Sequence, residues 1–253
     1  MDSIYLKLAE LIEQKKTGAL CTLTRVFGSS PRKEGTKMIV LEDATIIGTI
    51  GGGSLEYRII QEAKGAIQER KTRYLSYVLE KDLSMKCGGS LEVYIEPFGQ
   101  KEKVFIFGAG HVGKNLGYLV RNYGFEVTLI DSRKTIMQNL PPLDNIRLVQ
   151  EDPVKIIPDL DITKDSYLVL VSHNHLLDEQ ILEKVIHLPH RYLGMIGSKE
   201  KVKKISDNLI KKGVDSSLLS RVDMPIGIKF KAETPEELAI SILAKLIDVK
   251  NKN

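Results

Sequence analysis

The sequence lacks the features of an exported or membrane-bound protein. It contains only two cysteines, Cys21 and Cys87, which do not have the spacing of a metal site and provide no disulfide framework. It has no apolar run long enough to span a membrane, and residues 1–3 begin no signal peptide. We therefore expect a cytoplasmic protein that does not associate with membranes.

The sequence also lacks a strong excess of charge of either sign. Its 253 residues include 37 lysines and arginines and 33 acidic residues, which gives a net charge of +4. Both signs are mixed along most of the predicted helices, which is typical of a solvated surface and not of a nucleic-acid-binding face. The small positive net charge is still compatible with the binding of a small anionic ligand.

The most informative stretch runs from Val104 to Asp131. It begins with V-F-I-F, which is uncharged, as in a parallel strand buried on both faces. Glycines follow at the spacing G-x-G-x-x-G, an amphipathic segment then ends at Gly124, and a second predicted strand ends at Asp131. This order is typical of the dinucleotide-binding turn of a Rossmann-type domain, formed here by Gly108, Gly110 and Gly113.

In that interpretation the turn and its flanks bind a nucleotide. His111 begins a helix whose free N–H groups can hold a phosphate, and Asp131 accepts a hydrogen bond from the adenine ribose. The alternative is that the glycines serve packing only, because a fold alone does not establish a ligand. The sequence leaves both interpretations open.

The order of the predicted elements indicates an α/β protein with two domains. After Asp131 strands alternate with helices, which predicts a parallel sheet with right-handed crossovers. Residues 97–103, P-F-G-Q-K-E-K, are polar and rich in turn formers. We expect a mixed α/β domain over residues 1–98 and a Rossmann-type domain with a parallel sheet over residues 103–253.

Two loops of the second domain follow predicted strands, where open α/β sheets bind ligands. His173, His175 and Asp178 are possible metal ligands, although imidazoles two residues apart point apart on regular structure. Ligand contact or a local cap is the alternative for this loop. Gly197 and Ser198 open a further helix, as an anion site or as an ordinary N-cap.

The first domain contains its own glycine-rich turn. Ser54 is the expected N-cap of a helix from Leu55 to Arg70, and backbone N–H groups before such a helix can hold an anion. A tight strand-to-helix turn is the alternative. A loop over residues 28–36, which includes Arg32, adds positive charge. The glycines of the turn are Gly51, Gly52 and Gly53.

The two cysteines have different surroundings. Cys87 lies between Lys86 and a pair of glycines, so we expect an accessible thiol whose thiolate is favoured by the nearby charge and amides. Cys21 lies in the apolar run A-L-C-T-L and is expected to be an inert core thiol.

Several separated motifs extend over most of the chain. They are G-S-S-P-R-K-E-G-T-K-M (28–38), G-G-G-S-L-E (51–56), C-G-G-S-L-E-V-Y-I-E-P (87–97), F-G-A-G-H-V-G (107–113), S-H-N-H-L-L-D (172–178), Y-L-G-M-I-G-S-K (192–199), P-I-G-I (225–228) and A-E-T-P-E-E-L-A-I-S-I (232–242). Together they resemble the xanthine dehydrogenase accessory-factor family, of the XdhC/CoxI type.

The resemblance implies a protein that binds molybdenum cofactor (molybdopterin). Such a protein supports the sulfuration of the cofactor with a cysteine desulfurase and delivers it to a xanthine-dehydrogenase-type apoenzyme, without catalytic residues of its own. A thiolate can bind the molybdenum, which assigns the metal ligand to Cys87. The implied cofactor-binding residues are Arg32, Gly51, Gly52, Gly53, Ser54, Glu56, Cys87, Gly88, Gly89, Gly108, Gly110, His111, Gly113, Asp131, His173, His175, Gly197 and Ser198.

The chain departs from the family pattern at two places. The family often has cysteine in its first glycine motif, where this chain has Ser54, so Cys87 is left as the candidate reactive thiol. The family pattern P-I-G-L-D-I-G-A is interrupted here by residues 229–231, K-F-K. These differences indicate a divergent member, which serves a molybdenum hydroxylase of its own.

Two other functions compete with this hypothesis. One is an NAD(P)-dependent oxidoreductase, which is disfavoured because no Tyr-x-x-x-Lys pattern follows the glycine-rich turn. The other is a regulatory protein that senses a nucleotide through its Rossmann-type domain. We also expect a homodimer, because loops that hold a redox-sensitive ligand need an opposing wall that excludes water.

Overall fold

The computed structural model describes residues 2–79, 89–99, 101–140 and 146–252. The chain divides into two compact units, Met1–Gln100 and Lys101–Asn253. Across the described residues, every helix is too short or too polar to cross a lipid bilayer.

The N-terminal unit is an antiparallel sheet with one long helix against it. The strands are ordered β3-β2-β1-β5-β4. Alternate residues of the strands, such as Ala19, Cys21 and Leu23, share one core with the apolar face of α2, because side chains of a strand alternate between the two faces. The elements are α1 (Asp2–Glu13), β1 (Gly18–Phe27), β2 (Lys37–Leu41), β3 (Ile46–Gly48), α2 (Gly53–Glu69), β4 (Arg73–Val78) and β5 (Ser90–Phe98).

Strand β5 is longer than the sequence predicts. It continues to Phe98, through the first residues of the segment expected to be a polar linker. Pro97 lies opposite Ala19 of β1, while the pairing with β4 begins only at Ile95. Because β5 is an edge on that side beyond Ile95, a proline without an N–H group is tolerated there.

The C-terminal unit contains a parallel five-stranded sheet ordered β10-β9-β6-β7-β8, which confirms the predicted Rossmann-type fold. The strands are β6 (Glu102–Phe107), β7 (Phe125–Ile130), β8 (Ile146–Val149), β9 (Tyr167–Leu170) and β10 (Tyr192–Met195). The helices are α3 (His111–Val120), α4 (Lys134–Gln138), α5 (His175–Val185), α6 (Lys199–Lys211), α7 (Ser216–Leu219) and α8 (Pro235–Asn251).

The central strand β6 explains the uncharged V-F-I-F run. Val104 and Ile106 pack into the core that includes α3 and α8, while Phe105 and Phe107 pack into the core of the opposite face. Strand β6 lies between β7 and β9, so the strand order reverses direction at its carboxyl end. In open α/β sheets the crevice at such a point is where ligands bind.

The last helix begins as the sequence predicts. Thr234 caps α8 by accepting a hydrogen bond from the Glu237 amide, and the Glu237 carboxylate accepts one from the Thr234 amide. This reciprocal pair is a capping box, with Pro235 at the first helical position. The motif A-E-T-P-E-E-L therefore has a structural explanation.

Candidate functional site

The three glycines of the Rossmann-type turn have different surroundings. Gly108 has a φ of 119°, and a Cβ there would lie 2.5 Å from the Val171 carbonyl oxygen. A Cβ at Gly113 would overlap the Gly108 carbonyl oxygen. At Gly110 the nearest heavy atom to a Cβ would be a guanidinium nitrogen of Arg133, 3.8 Å away. Gly108 and Gly113 therefore let the turn close, whereas Gly110 keeps space open beside it.

This difference predicts opposite effects for two alanine substitutions. Gly113→Ala should destabilise the unit by about 1–3 kcal/mol or more, because the new methyl group overlaps backbone that cannot move freely. Gly110→Ala should cost no stability, since Gly110 has an ordinary φ of −66°. Urea unfolding of both variants measures the difference. Equal losses of stability in the two variants would contradict the conclusion that Gly113 is needed for the turn to close and Gly110 is not.

A cleft of about 200 Å³ opens beside Gly110 at the N-terminus of α3. Ile136 and Leu140 form its apolar wall. None of the described residues that line it is acidic, and α3 directs its first N–H groups toward this end of the helix. The cleft is therefore suited to an anionic ligand. Its polar side chains are His111, Lys114, Arg133, Thr135 and Asn139.

Asp131 directly follows the last residue of β7, and its carboxylate already accepts four hydrogen bonds. Oδ2 accepts from the Ala109 amide at 2.8 Å and from Arg133 Nη2 at 2.6 Å. Oδ1 accepts from the Arg133 amide at 3.0 Å and from Arg133 Nε at 2.9 Å. Burial would raise the pKa of Asp131, but the bonds from Arg133 and Ala109 outweigh it and hold the pKa below its ordinary value.

The loop after β9 does not form the metal site considered from the sequence. His173 and His175 are exposed, while Asp178 is fully buried and paired with Lys201 at 2.6 Å. Asn174 caps α5 by accepting a hydrogen bond from Leu176. Nowhere in the described ranges do three or more His, Cys, Asp or Glu side chains form a group suited to a metal. The local cap, which the sequence left as an alternative, is what the structure contains.

Lys201 links the ends of two strands. Its Nζ donates to Asp178 and to the Ile196 carbonyl at 2.9 Å, and the other Asp178 oxygen accepts from the Ser172 amide. Ser198 caps α6 through the Lys201 amide, and Gly197 leaves room for the Lys201 side chain. The ordinary N-cap that the sequence offered as an alternative is therefore present at this loop, with a buried lysine behind it.

The P-I-G-I motif is also structural. Asp223 accepts hydrogen bonds from the Tyr192 hydroxyl at 2.6 Å and from the Gly227 amide at 3.1 Å. Ser241 of α8 donates to the Ile228 carbonyl. These bonds attach the loop to β10 and to the last helix.

In the N-terminal unit the glycine turn differs from the expected N-cap. Helix α2 begins at Gly53, and Gly52 is its N-cap residue, without a capping hydrogen bond from a side chain. The prediction that Ser54 is the N-cap is therefore wrong. Gly52 has a φ of 73° and ψ of −177°, a conformation that only glycine adopts readily. With this glycine as the cap residue, the helix begins two residues earlier in the sequence than predicted. Glu56 accepts bonds from the Thr49 hydroxyl at 2.5 Å and the Ile50 amide, which fixes the turn.

The loop over residues 28–36 lies against glycines of two other motifs. A Cβ at Gly51 would lie 2.8 Å from Pro31 of the 28–36 loop. A Cβ at Gly89 would overlap the Ser29 carbonyl oxygen and lie 2.6 Å from that of Phe27. Gly52 and Gly53 have open space at their Cβ positions, and Arg32 of the same loop is exposed. We call this arrangement of residues 29–32, 51–54 and 89 the glycine pocket of the N-terminal unit.

The two cysteines can be compared only in part. Cys87 and Gly88 lie outside the described residues. Cys21 is fully buried in the sheet core, and burial raises the pKa of its thiol to about 12. The prediction of an inert core thiol at Cys21 is therefore consistent with its surroundings.

Comparison with known proteins identifies the family. Residues 104–246 match the family model described as the XdhC Rossmann domain, and residues 11–78 match that of the XdhC and CoxI family. The chain belongs to the XdhC family. The resemblance deduced from the sequence motifs is thereby confirmed.

The relatives of this XdhC-family chain include proteins of different length. It is 33% identical to YqeB of Escherichia coli (strain K12) over 98% of its own residues but spans only 46% of that protein. It is 21% identical to a probable xanthine dehydrogenase subunit of Bacillus subtilis (strain 168), and this match covers 100% of the chain and 99% of that protein. It is also 23% identical to the molybdenum cofactor insertion chaperone PaoD of E. coli (strain K12), and this match covers 95% of the chain and 86% of that protein.

A crystal structure supports the fold of the XdhC-family chain. The structure of a protein described as a xanthine dehydrogenase from Bacillus halodurans matches with a TM-score of 0.54 at 25% identity, covering 96% of both chains. The similarity extends over both units.

Sequence patterns alone did not identify Arg133 and Lys201 as the cations that pair with Asp131 and Asp178. A signal existed for Lys201, because a cation in the first turn of a helix is unfavourable next to the positive end of the helix dipole and so suggests a carboxylate partner. Arg133 had a weaker signal, two positions after the expected ribose acceptor Asp131.

Proposed function

We propose that this XdhC-family protein is an accessory factor that holds molybdenum cofactor as cargo and assists its sulfuration and insertion into a xanthine-dehydrogenase-type hydroxylase. The names of two relatives support the proposal, since one is a molybdenum cofactor insertion chaperone and the other is named as part of a probable xanthine dehydrogenase. A cysteine desulfurase as sulfur donor and a homodimeric assembly are further parts of the proposal.

The observation that carries the proposal is that the 28–36 loop lies against glycines of two other family motifs, at Gly51 and at Gly89, in the glycine pocket. Helix α2 has 17 residues, and its N-terminus presents N–H groups that have no acceptor within the helix, together with the positive end of a helix dipole. Gly53 is exposed, and a Cβ there would meet no heavy atom within 4 Å, which leaves access to these N–H groups. Arg32 adds an exposed cation next to Pro31, which lies against Gly51.

These features fit the phosphate that molybdopterin carries. Phosphates bind at helix N-termini because the N–H groups donate to the oxygens and the dipole favours negative charge. We assign the phosphate to the N-terminus of α2 at Gly53, with Glu56 as the residue that fixes the turn. Cys87, two positions before Gly89 in the sequence, is the proposed thiolate ligand of the molybdenum.

Two variants at Gly53 test the phosphate site. Gly53 has a φ of 61°, a conformation that asparagine and aspartate tolerate best among the other residues. Gly53→Asp places a carboxylate in the pocket, and we expect it to reduce cofactor retention by about tenfold or more, the effect of 1.4 kcal/mol. Gly53→Asn has nearly the same shape without the charge and should retain most of the cofactor.

The measurement is the molybdenum and pterin content of protein purified from a molybdenum-competent host. The unaltered chain from a host that cannot make the cofactor is the blank. Thermal unfolding of both variants confirms that they fold, and aspartate near a helix N-terminus favours folding. Equal retention by the aspartate and asparagine variants would refute the phosphate site.

A further inference from the structure

We propose that the cleft beside Gly110 binds a nucleotide with a phosphate on its ribose 2′-oxygen, and that Arg133 selects this ligand over one with a free ribose diol. Neither the family assignment nor the names of the relatives identify a ligand for this cleft. The inference rests on the C-terminal unit alone and is independent of the glycine pocket.

The first argument is that Asp131 has no acceptor site left for a ribose. A carboxylate at the end of the second strand usually accepts hydrogen bonds from a ribose diol. Here both carboxylate oxygens accept two hydrogen bonds each, from Ala109 and Arg133. The residue as a whole is only 3% exposed. A diol must therefore displace a bidentate, charge-assisted ion pair before it can bind.

The second argument is the position of the guanidinium group. Arg133 donates hydrogen bonds from Nε and Nη2 to the Asp131 carboxylate, and its Nη1 has no hydrogen-bond partner among the described residues. The Arg133 side chain is 30% exposed and lines the cleft at Gly110. Asp131 thus holds the guanidinium in a fixed orientation, with donors left for an anion at the place where a Rossmann-type turn receives the ribose.

The third argument is the charge of the cleft as a whole. His111 and Lys114 lie along the same cleft, and its described lining contains no carboxylate. A phosphate monoester carries up to two negative charges, so it gains more from these groups than a neutral diol does. Ile136 and Leu140 provide the apolar surface against which a base can pack. This combination indicates a phosphorylated nucleotide and not phosphate alone.

The test compares pairs of ligands that differ only by the 2′-phosphate. We expect NADPH to bind the full-length protein about ten- to a hundredfold more tightly than NADH, which corresponds to one hydrogen-bonded charged contact. In calorimetric titrations, 2′,5′-ADP should bind more tightly than 5′-AMP by the same ratio of affinities. Inorganic phosphate should displace bound NADPH only weakly. Equal affinities within each pair, no binding of either member, or efficient displacement by phosphate would overturn the proposal.

Variants of Arg133 provide the decisive comparison. Arg133→Ser removes the cation and frees Asp131 oxygens, so the preference should reverse toward NADH. Arg133→Lys keeps the charge and should keep a reduced preference for NADPH, which also guards against misfolding of the serine variant. Lys134→Gln removes the exposed neighbouring charge, which does not line the cleft, and should leave the ratio unchanged. An unchanged ratio in Arg133→Ser would exclude Arg133 as the selecting residue.

Failure of this test would not affect the proposed function. Retention of molybdenum cofactor is measured with variants of Gly53, in the other unit, and without added nucleotide. The two proposals can therefore fail separately.

Discussion

Replacing Lys201 by methionine is expected to destabilise the C-terminal unit by about 3–5 kcal/mol, the usual cost of leaving a buried charge without its partner. Asp178 is fully buried, and its Oδ2 lies 2.6 Å from Lys201 Nζ, whose side chain is itself only 9% exposed. The substitution leaves the carboxylate with a single hydrogen bond, from the Ser172 amide. It also removes a donor from the Ile196 carbonyl, which weakens the connection between the two strand ends.

Two further variants isolate the effect of burial. Lys252→Met, in the same unit, removes a lysine that pairs with Asp248 at 2.6 Å, and both side chains of this pair lie at the surface. Its unfolding midpoint should stay close to that of the unaltered protein, because exposed ion pairs contribute little. The double variant Lys201→Met with Asp178→Leu should recover most of the lost stability, since no buried charge remains.

Urea unfolding followed by circular dichroism measures these differences. A Lys201→Met variant as stable as Lys252→Met would show that Asp178 is not held by the lysine. A double variant no better than the single one would assign the loss to the Ile196 contact or to packing. The Asp178–Lys201 pair would then not explain why this loop is structural.

The predicted fold of the C-terminal unit rested on local patterns, and it is confirmed. The uncharged V-F-I-F run, the glycine spacing and the alternation of strands with helices depend on neighbours in the sequence, so they can be recognised without tertiary contacts. The short helices α4 and α7 were not predicted, because four or five residues carry too little periodicity to be distinguished from a loop.

The function of individual side chains was harder to predict, because it depends on partners that tertiary structure supplies. Asp178 looked like a possible metal ligand because its partner, Lys201, is 23 positions away. Asp131 was correctly placed at the end of a strand, yet the rotamer of Arg133 decides whether its oxygens are available. The glycine pocket brings together residues from three motifs, and no periodicity links Ser29, Gly51 and Gly89.

The largest functional effect is expected from Cys87→Ser, which should abolish retention of molybdenum cofactor. The expectation rests on the sequence, in which Lys86 and two glycines favour a reactive thiolate, and on the proposed thiolate bond to the molybdenum. Serine preserves the size of the side chain but is a much poorer ligand for a soft metal. Retention is measured as molybdenum and pterin content per folded molecule.

Cys21 is the internal control for this experiment. It is fully buried, and burial raises the pKa of its thiol to about 12, which keeps the thiol protonated as well as inaccessible at pH 8. Cys21→Ser should lower stability by about 1–3 kcal/mol, because the buried hydroxyl needs a hydrogen-bond partner in an apolar core. Retention of cofactor per folded molecule should be unchanged.

Thiol labelling of the native protein tests the same assignment by a route that needs no cofactor. One thiol should react rapidly at pH 8 and the second only after unfolding, and mass spectrometry of the peptides should place the rapid label on Cys87. Bound cofactor should then slow that reaction. If Cys21 reacts first, the burial argument is wrong. If Cys87→Ser retains cofactor normally, the thiolate is not a ligand, and binding must depend on the phosphate at the N-terminus of α2, which the aspartate variant at Gly53 tests directly.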